Sequence, residues 1–260
     1  MQRASFLLLS VTVSCALAQT PQLSQGSVVN AASFTPGEAL AAGSLASVFG
    51  SQLASSLAQG ASVPLSVSLG DVQSVTFDNV AAPLIFVDNG QINLQVPWEI
   101  TGPSSVVVVH RSTGASSPVT VALSPVSPAI FAVNFGTGSA IAINADSSLA
   151  APNGSIPSIA THPAKIGDTI LILGTGLGAV DQPVKTGAKP PTLTHTLVTP
   201  TVLVGGIRAE VQFSGLSPDF PGVNQLNVVI PNGAPTGDAV PLQLQMGGIT
   251  TTDKVTIAVQ

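Results

Sequence analysis

Cysteine is nearly absent from this chain of 260 residues. Its one thiol, Cys15, falls within the first 18 residues, so the remainder carries no disulfide and no thiol chemistry. Tyrosine is missing altogether and tryptophan occurs once, at Trp98. This poverty argues against a lectin with a broad aromatic platform. Charge is scarce as well: 7% of residues are ionisable acids or bases, against about 25% in an average protein. Binding a phosphate backbone takes clustered cations. Arg111, Lys165, Lys185, Lys189, Arg208 and Lys254 are dispersed, and the formal net charge is −5, which excludes nucleic acid as an expected partner. No uninterrupted apolar run is long enough for a transmembrane segment.

The chain is rich in short β-forming stretches and in the residues that turn them. Hydrophobic residues make up 45%, enough to build a core, and 25 Gly and 21 Pro punctuate valine-rich runs. Helical periodicity is missing, so the composition is all-β. At the start, Arg3 precedes an apolar run from Phe6 to Val13, and Ala16-Leu17-Ala18 has the small-x-small pattern of an export cleavage site. Residues 1–18 therefore read as a signal peptide, with the mature chain beginning at Gln19. A lipoprotein anchored through Cys15 is the weaker alternative, because Thr12-Val13-Ser14 lacks a leucine three positions upstream. The expected location is secreted or at the cell surface.

Internal repetition sets the architecture. Val119-Thr120-Val121-Ala122-Leu123 recurs as Val255-Thr256-Ile257-Ala258-Val259, and Gln91-Ile92-Asn93-Leu94-Gln95-Val96-Pro97 recurs as Gln225-Leu226-Asn227-Val228-Val229-Ile230-Pro231. Farther upstream Val75-Thr76-Phe77 matches Val202-Leu203-Val204, Gly43 and Gly50 match Gly167 and Gly174, and Val29-Asn30-Ala31 matches Ile143-Asn144-Ala145. The offsets rise in order along the chain, as insertions in the second copy require. Alternation within strands, such as Leu242, Leu244 and Met246 against Gln243 and Gln245, demands packing of sheet on sheet. The expectation is two tandem immunoglobulin-like β-sandwich domains, residues 19–124 and 125–260, joined in Ser124–Pro128. A protease-sensitive site is expected at that junction or in the Leu149–Pro163 loop. Asn89-Gly90 and Gly205-Gly206 read as equivalent positive-φ hairpin turns.

The stretches Val28–Gly37 (VVNAASFTPG), Ala82–Ile100 (APLIFVDNGQINLQVPWEI), Ser127–Phe131 (SPAIF), Gly174–Gly178 (GTGLG) and Val223–Pro231 (VNQLNVVIP) resemble the Solibacter uncharacterised C-terminal domain family. The resemblance covers nearly the whole mature chain. It implies a secreted bacterial protein and kinship with IPT/TIG immunoglobulin-like folds, and it brings no activity with it. Such domains usually end long proteins. Here the pair follows the export signal directly, so no role tethered to an upstream domain is expected.

Chemistry-bearing residues do not assemble into a catalytic pattern. His110, His162 and His195 have no second histidine or carboxylate at metal-ligand spacing, and there is no Gly-x-Ser-x-Gly elbow. Gly174-Thr175-Gly176-Leu177-Gly178 lacks the helix and acid of a dinucleotide fingerprint and reads as a tight turn after a buried strand. Asp71, Asp78 and Asp88 do not make a calcium loop. No catalytic, cofactor-binding or metal residue is assigned, and no cofactor is expected. The candidate polar positions are Gln91, Asn93, Gln95, Gln225 and Asn227, which place amides on one strand face, together with Trp98. The amides are read as satisfying loop or inter-domain backbone groups rather than a ligand, and Trp98 as a cap on the core rather than a sugar platform. The expected function is a non-catalytic extracellular module contacting a protein or matrix component. A polysaccharide-binding module is the first alternative, and a hydrolase with an unrecognised site the second.

Overall fold

A computed structural model describes residues 20–252 and 254–260; the expected signal peptide, its cleavage site and Cys15 lie outside the described residues. The described chain is all β-strand, turn and loop. Two apolar cores form. One draws on residues from Leu23 to Leu123, and the other on residues from Val126 to Val259.

In the first sandwich one sheet runs Val28–Asn30, Leu45–Phe49, Gln91–Gln95, Leu84–Val87, Ala58–Gln59 in spatial order. The other runs Val119–Ala122, Ser104–Arg111, Val72–Phe77, Val80–Ala81. Inward residues alternate with outward ones, so Ile92, Leu94 and Val96 are buried while Gln91 and Asn93 are only half-buried. A Val or Ile taken fully out of water in this way contributes about 1.5–3 kcal/mol.

The second sandwich keeps the same pairings in the same register. Val29 opposite Ser47 and Ser47 opposite Asn93 become Ile143 opposite Leu171 and Leu171 opposite Asn227. On the other sheet Val75 opposite Val109 becomes Val202 opposite Leu244, and Val121 opposite Ser105 becomes Ile257 opposite Val240. The sequence repeat is thus a repeat of hydrogen-bonded neighbours.

The copies differ where a proline intervenes. Ile207–Leu216 is one long strand that pairs first with Thr201–Val204 and then with Asn224–Val229, linking both sheets of the second sandwich. Its counterpart is cut into Val80–Ala81 and Leu84–Val87. Pro83 stands where Glu210 pairs with Val229 and has no N–H to donate. Both copies retain a register shift at the same place, between Leu84 and Phe86 and between Val211 and Phe213. A bulge kept in both copies is a built bend rather than a defect.

The turn equivalence expected from sequence is corrected. Gly205-Gly206 follows Val204 as Asp78-Asn79 follows Phe77, and all four residues have positive φ. Asn89-Gly90 closes a different hairpin without positive φ. There the Asp88 carboxylate accepts the N–H groups of Gly90 and Gln91 at 2.7 and 2.6 Å, so a side chain supplies what the backbone twist would otherwise provide.

The glycine-rich Gly174–Gly178 segment is also not a tight turn. Its strand ends at Thr175, and the segment continues alongside residues 125–129 with left-handed φ at Gly176 and Gly178 and the Ser127 N–H donating to the Gly176 carbonyl at 2.8 Å. A Cβ on Gly174, Gly176 or Gly178 would lie 2.6, 1.9 or 2.7 Å from the carbonyl oxygens of Ala129, Ser127 and Pro125. These glycines are small so that the linker can lie against them. Consequently Ser127 and Pro128 are buried, not the open junction expected from their composition.

Candidate functional site: a cleft between the two sandwiches

The linker, once docked, is fixed to the first sandwich by Asn30. This fully buried amide accepts the Ala32 N–H at 2.9 Å and donates to the Ser127 carbonyl at 2.9 Å. One side chain therefore shapes the turn after Val28–Asn30 and ties it to the start of the second sandwich. A cleft of about 530 Å³ opens beside this anchor. Its walls are the 32–39 turn of the first sandwich, the linker and first strand at residues 127–130 and, from the rest of the second sandwich, residues 135–137, 249–252 and 254–255.

Two phenylalanines meet in this cleft. The rings of Phe34 and Phe135 are 5.1 Å apart and nearly perpendicular, and Phe34 also leans on Phe49 at 6.2 Å. Both have left-handed backbones, φ 54° at Phe34 and 43° at Phe135. Phe135 and Gly136 form the tip of a hairpin in which Asn134 faces Thr137, and both tip residues have positive φ. That is the type I′ geometry, which favours Asn, Asp or Gly at its first central position. A bulky side chain there is strained. Gly136 is required twice over, by its φ of 79° and by the Ser33 carbonyl oxygen that a Cβ would meet at 2.4 Å. The hairpin tip rests on the other sandwich, and Phe135 stays 72% exposed. Neither burial nor turn preference accounts for a phenylalanine at this point.

Polar groups ring the aromatic pair. Ser33 Oγ donates to Glu38 Oε2 at 2.6 Å, and Thr137 Oγ1 donates to the Asn134 carbonyl at 2.8 Å. Lys254 adds an exposed ammonium that forms no ion pair with the described residues.

The six positions singled out from sequence lie elsewhere. Gln91 donates to Asn93 Oδ1 at 2.7 Å, which also accepts Ser47 Oγ at 2.9 Å; Gln225 donates to Asn227 Oδ1 at 3.0 Å. Gln95 is buried at the junction, donating to the Gly43 carbonyl at 3.1 Å and accepting the Gly187 N–H at 2.7 Å. Trp98 is half-buried over Gly43, where a Cβ would come within 2.2 Å of its ring. Its N–H donates to Thr186 Oγ1 at 2.9 Å, while its indole nitrogen is buried without a partner among the described residues. Trp98 lines a smaller hollow of about 340 Å³. Sequence reasoning missed Phe34 and Phe135. The available signal was a phenylalanine in Asn134-Phe135-Gly136-Thr137, a turn composition that calls for a small or polar residue.

Two histidines have carboxylate partners that their sequence spacing concealed. His162 Nε2 meets Asp146 Oδ2 at 2.9 Å, and His195 Nδ1 meets Asp181 Oδ2 at 3.1 Å. The hydroxyl and backbone N–H of Ser148, then His162, hold the Asp146 carboxyl down at about 2. His162 is raised above 6.5 by the Pro163 carbonyl at 2.9 Å and by Asp146. The backbone N–H of His195 leads in lowering Asp181. A hydrolytic triad needs a histidine between a carboxylate and a hydroxyl. None is so placed among the described residues, since the second nitrogen of His162 faces the Pro163 carbonyl and His110 has only Thr76 Oγ1, at 3.5 Å.

The three aspartates considered for calcium each have a structural task. Burial works against ionising Asp71, but the Ser55 N–H and the buried Arg111 guanidinium prevail and lower its pKa. Asp78 accepts the Val106 N–H at 2.8 Å, and Asp88 closes its hairpin. Among the described residues no group of three potential metal ligands occurs, and no helix is long and apolar enough to cross a membrane.

No family model matches the chain, and no curated protein does. Several solved structures are similar in fold at low identity. SGBP-B of a mixed-linkage glucan utilization locus in Bacteroides ovatus, solved with a mixed-linkage heptasaccharide, is 11% identical with a TM-score of 0.35, aligning 85% of this chain with 43% of its own. SGBP-B from a complex xyloglucan utilization locus in Bacteroides uniformis is 13% identical with a TM-score of 0.27, over 92% of this chain and 49% of its own. The I9–I11 tandem from titin is 12% identical with a TM-score of 0.23, over 93% and 64%. The chain thus spans less than half the length of the two Bacteroides proteins.

Proposed function

We propose that this protein is a non-catalytic extracellular module that binds a partner in the cleft between its two sandwiches. The observation that carries this reading is Phe135, which is exposed and held in a backbone conformation costly for its side chain. Strain of this kind persists where surrounding structure enforces it, and it clusters at ligand clamps. The export signal read from Arg3, the apolar run and Ala16-Leu17-Ala18 supports an extracellular setting. The junction supports a single rigid ligand-presenting body: Gln95, Thr186, Gly187, Asn30 and Thr175 all bond across it. The partner is a protein or extracellular matrix component, polysaccharide included.

The test is to map binding by NMR, adding fractionated extracellular proteins and soluble polysaccharides to isotope-labelled mature protein. Shift changes should concentrate at residues 33–38, 135–137 and 249–254. Changes centred instead on the Gln91–Gln95 face would move the site away from the cleft and overturn this reading.

A further inference from the structure

We propose that the cleft takes a neutral polysaccharide chain, with the Phe135 ring as its stacking face. This rests on the binding reading of the same cleft and names its ligand class.

The groups that line the cleft decide between a glycan and a peptide. An extended peptide docks by adding a strand to an open sheet edge, and it draws affinity from free backbone N–H and C=O groups. Here several backbone donors at and beside the wall are engaged. Ala32 N–H goes to Asn30 Oδ1, Phe34 N–H to the Asn30 carbonyl, Ser127 N–H to the Gly176 carbonyl and Gly138 N–H to the Lys254 carbonyl. Ala129-Ile130 is already paired with Gly174-Thr175.

Among the described residues, the side chains on offer are an aromatic face, threonine and serine hydroxyls, the carboxylate of Glu38 and the ammonium of Lys254. A sugar ring matches that set. Its axial C–H groups present a weakly positive face to the negative face of an aromatic ring, while its hydroxyls both donate and accept. The cleft's volume of about 530 Å³ falls within the roughly 300–1,000 Å³ of small-molecule sites. The charges indicate a neutral chain. Among the described lining residues one acid, Glu38, stands with one base, Lys254, and the protein's net charge of −5 disfavours polyanionic glycans.

The strain at Phe135 makes the proposal separable from a structural role. If that ring served the fold, its loss would weaken the protein. If it serves a ligand, Phe135→Asn relieves the type I′ turn while abolishing stacking. The experiment is affinity electrophoresis of the mature protein and of Phe135→Asn and Phe135→Tyr, in gels containing hydroxyethyl cellulose, galactomannan, laminarin or dextran, with polygalacturonate as the anionic control. At least one neutral polymer should retard the native protein. Phe135→Asn should bind at least tenfold more weakly while melting at the same temperature or higher, and Phe135→Tyr should retain binding.

A parallel selection with a displayed random-peptide library keeps the two levels apart. Peptides that bind native protein but not Phe135→Asn, with no retardation by any neutral polymer, would overturn the glycan assignment and leave the binding module standing. Retardation unchanged in Phe135→Asn, or equal retardation by polygalacturonate, would also overturn the glycan assignment. Absence of ligand in both arms would remove the cleft as a binding site altogether.

Discussion

The side-chain oxygen of Gln95 accepts the backbone N–H of Gly187 at 2.7 Å, across the junction of the two sandwiches and over 92 positions of sequence. The other end of the same amide donates to the Gly43 carbonyl at 3.1 Å. Gln95 thereby joins a strand of the first sandwich to a strap from the second. Thr186 in that strap also accepts the Trp98 N–H and donates to Glu99 Oε2 at 2.7 Å. The Gly187 carbonyl accepts the Leu65 N–H at 2.8 Å.

Removing the Gln95 amide leaves two buried backbone groups without partners, each costing about 1–3 kcal/mol. Gln95→Ala should therefore destabilise more than Asn93→Ala, whose partners Ser47 and Gln91 are side chains, one of them reaching solvent. Asn227→Ala should cost least, because Leu171 stands where Ser47 would bond. Chemical denaturation of the three variants gives the order directly. An Asn93→Ala loss equal to that of Gln95→Ala would make the amide row one structural unit rather than a single clamp.

Much of the fold was legible because strand pairing repeats with sequence. The two copies share a register from Val29–Ser47 to Val121–Ser105, and the alternation of Ile92, Leu94 and Val96 gives the buried face. The amide face was legible as well, but not that Gln95 alone reaches the second sandwich, since that depends on a strap whose path no periodicity encodes. The Gly174–Gly178 segment shows the same limit. Small residues signal close approach, but only the folded chain reveals that the linker is what approaches. The cleft is not legible in the number of aromatic residues. Their placement matters more: Phe34 and Phe135 are 101 positions apart in sequence and in contact in space.

His162 and Asp146 should give a pH signature. His162 is raised above its ordinary 6.5, so its contribution is fully present below pH 6.5 and is lost as pH rises through the folded-state value. Asp146 falls from 3.8 to about 2, so its contribution is present above pH 3.8 and is lost as pH falls toward 2. The pair therefore acts best between about pH 4 and 6.5. An NMR titration should place His162 above 6.5 in the native protein and lower in Asp146→Asn. The melting-temperature gap between native protein and His162→Gln should narrow as pH rises from 5 to 8. A constant gap would mean that the ring acts by packing rather than by charge.

Limited proteolysis should distinguish the two proline-rich segments that look alike in sequence. Residues 124–128 are tied down by Asn30 and by the Gly176 carbonyl, whereas residues 153–155 and 157–160 are exposed with few backbone bonds. A broad-specificity protease needs several residues of free backbone. First cuts should fall between Asn153 and Ala160, with Ile159 the apolar target at 47% exposure. Mass spectrometry of the first fragments reads this out, and early cutting within 124–128 would show that the junction is not docked in solution.

Gly176 and Gly233 separate backbone conformation from close contact. Both have positive φ, 79° and 85°, so an alanine at either is strained by roughly 1 kcal/mol. At Gly233 a Cβ would meet nothing within 4 Å, and strain is the whole effect. At Gly176 it would fall 1.9 Å from the Ser127 carbonyl oxygen, on backbone that is itself bonded to Asn30. The linker must lift, losing the Ser127–Gly176 hydrogen bond and uncovering the buried junction. Overpacking adds about 1–3 kcal/mol, so Gly176→Ala should cost two to four times as much as Gly233→Ala in denaturant unfolding. Because the linker also forms one wall of the Phe34–Phe135 cleft, Gly176→Ala should alter amide shifts at residues 32–36, which Gly233→Ala should leave in place. Equal losses from the two substitutions, with unchanged shifts at 32–36, would show that the glycine-rich strip is needed for its backbone angles and not for seating the linker.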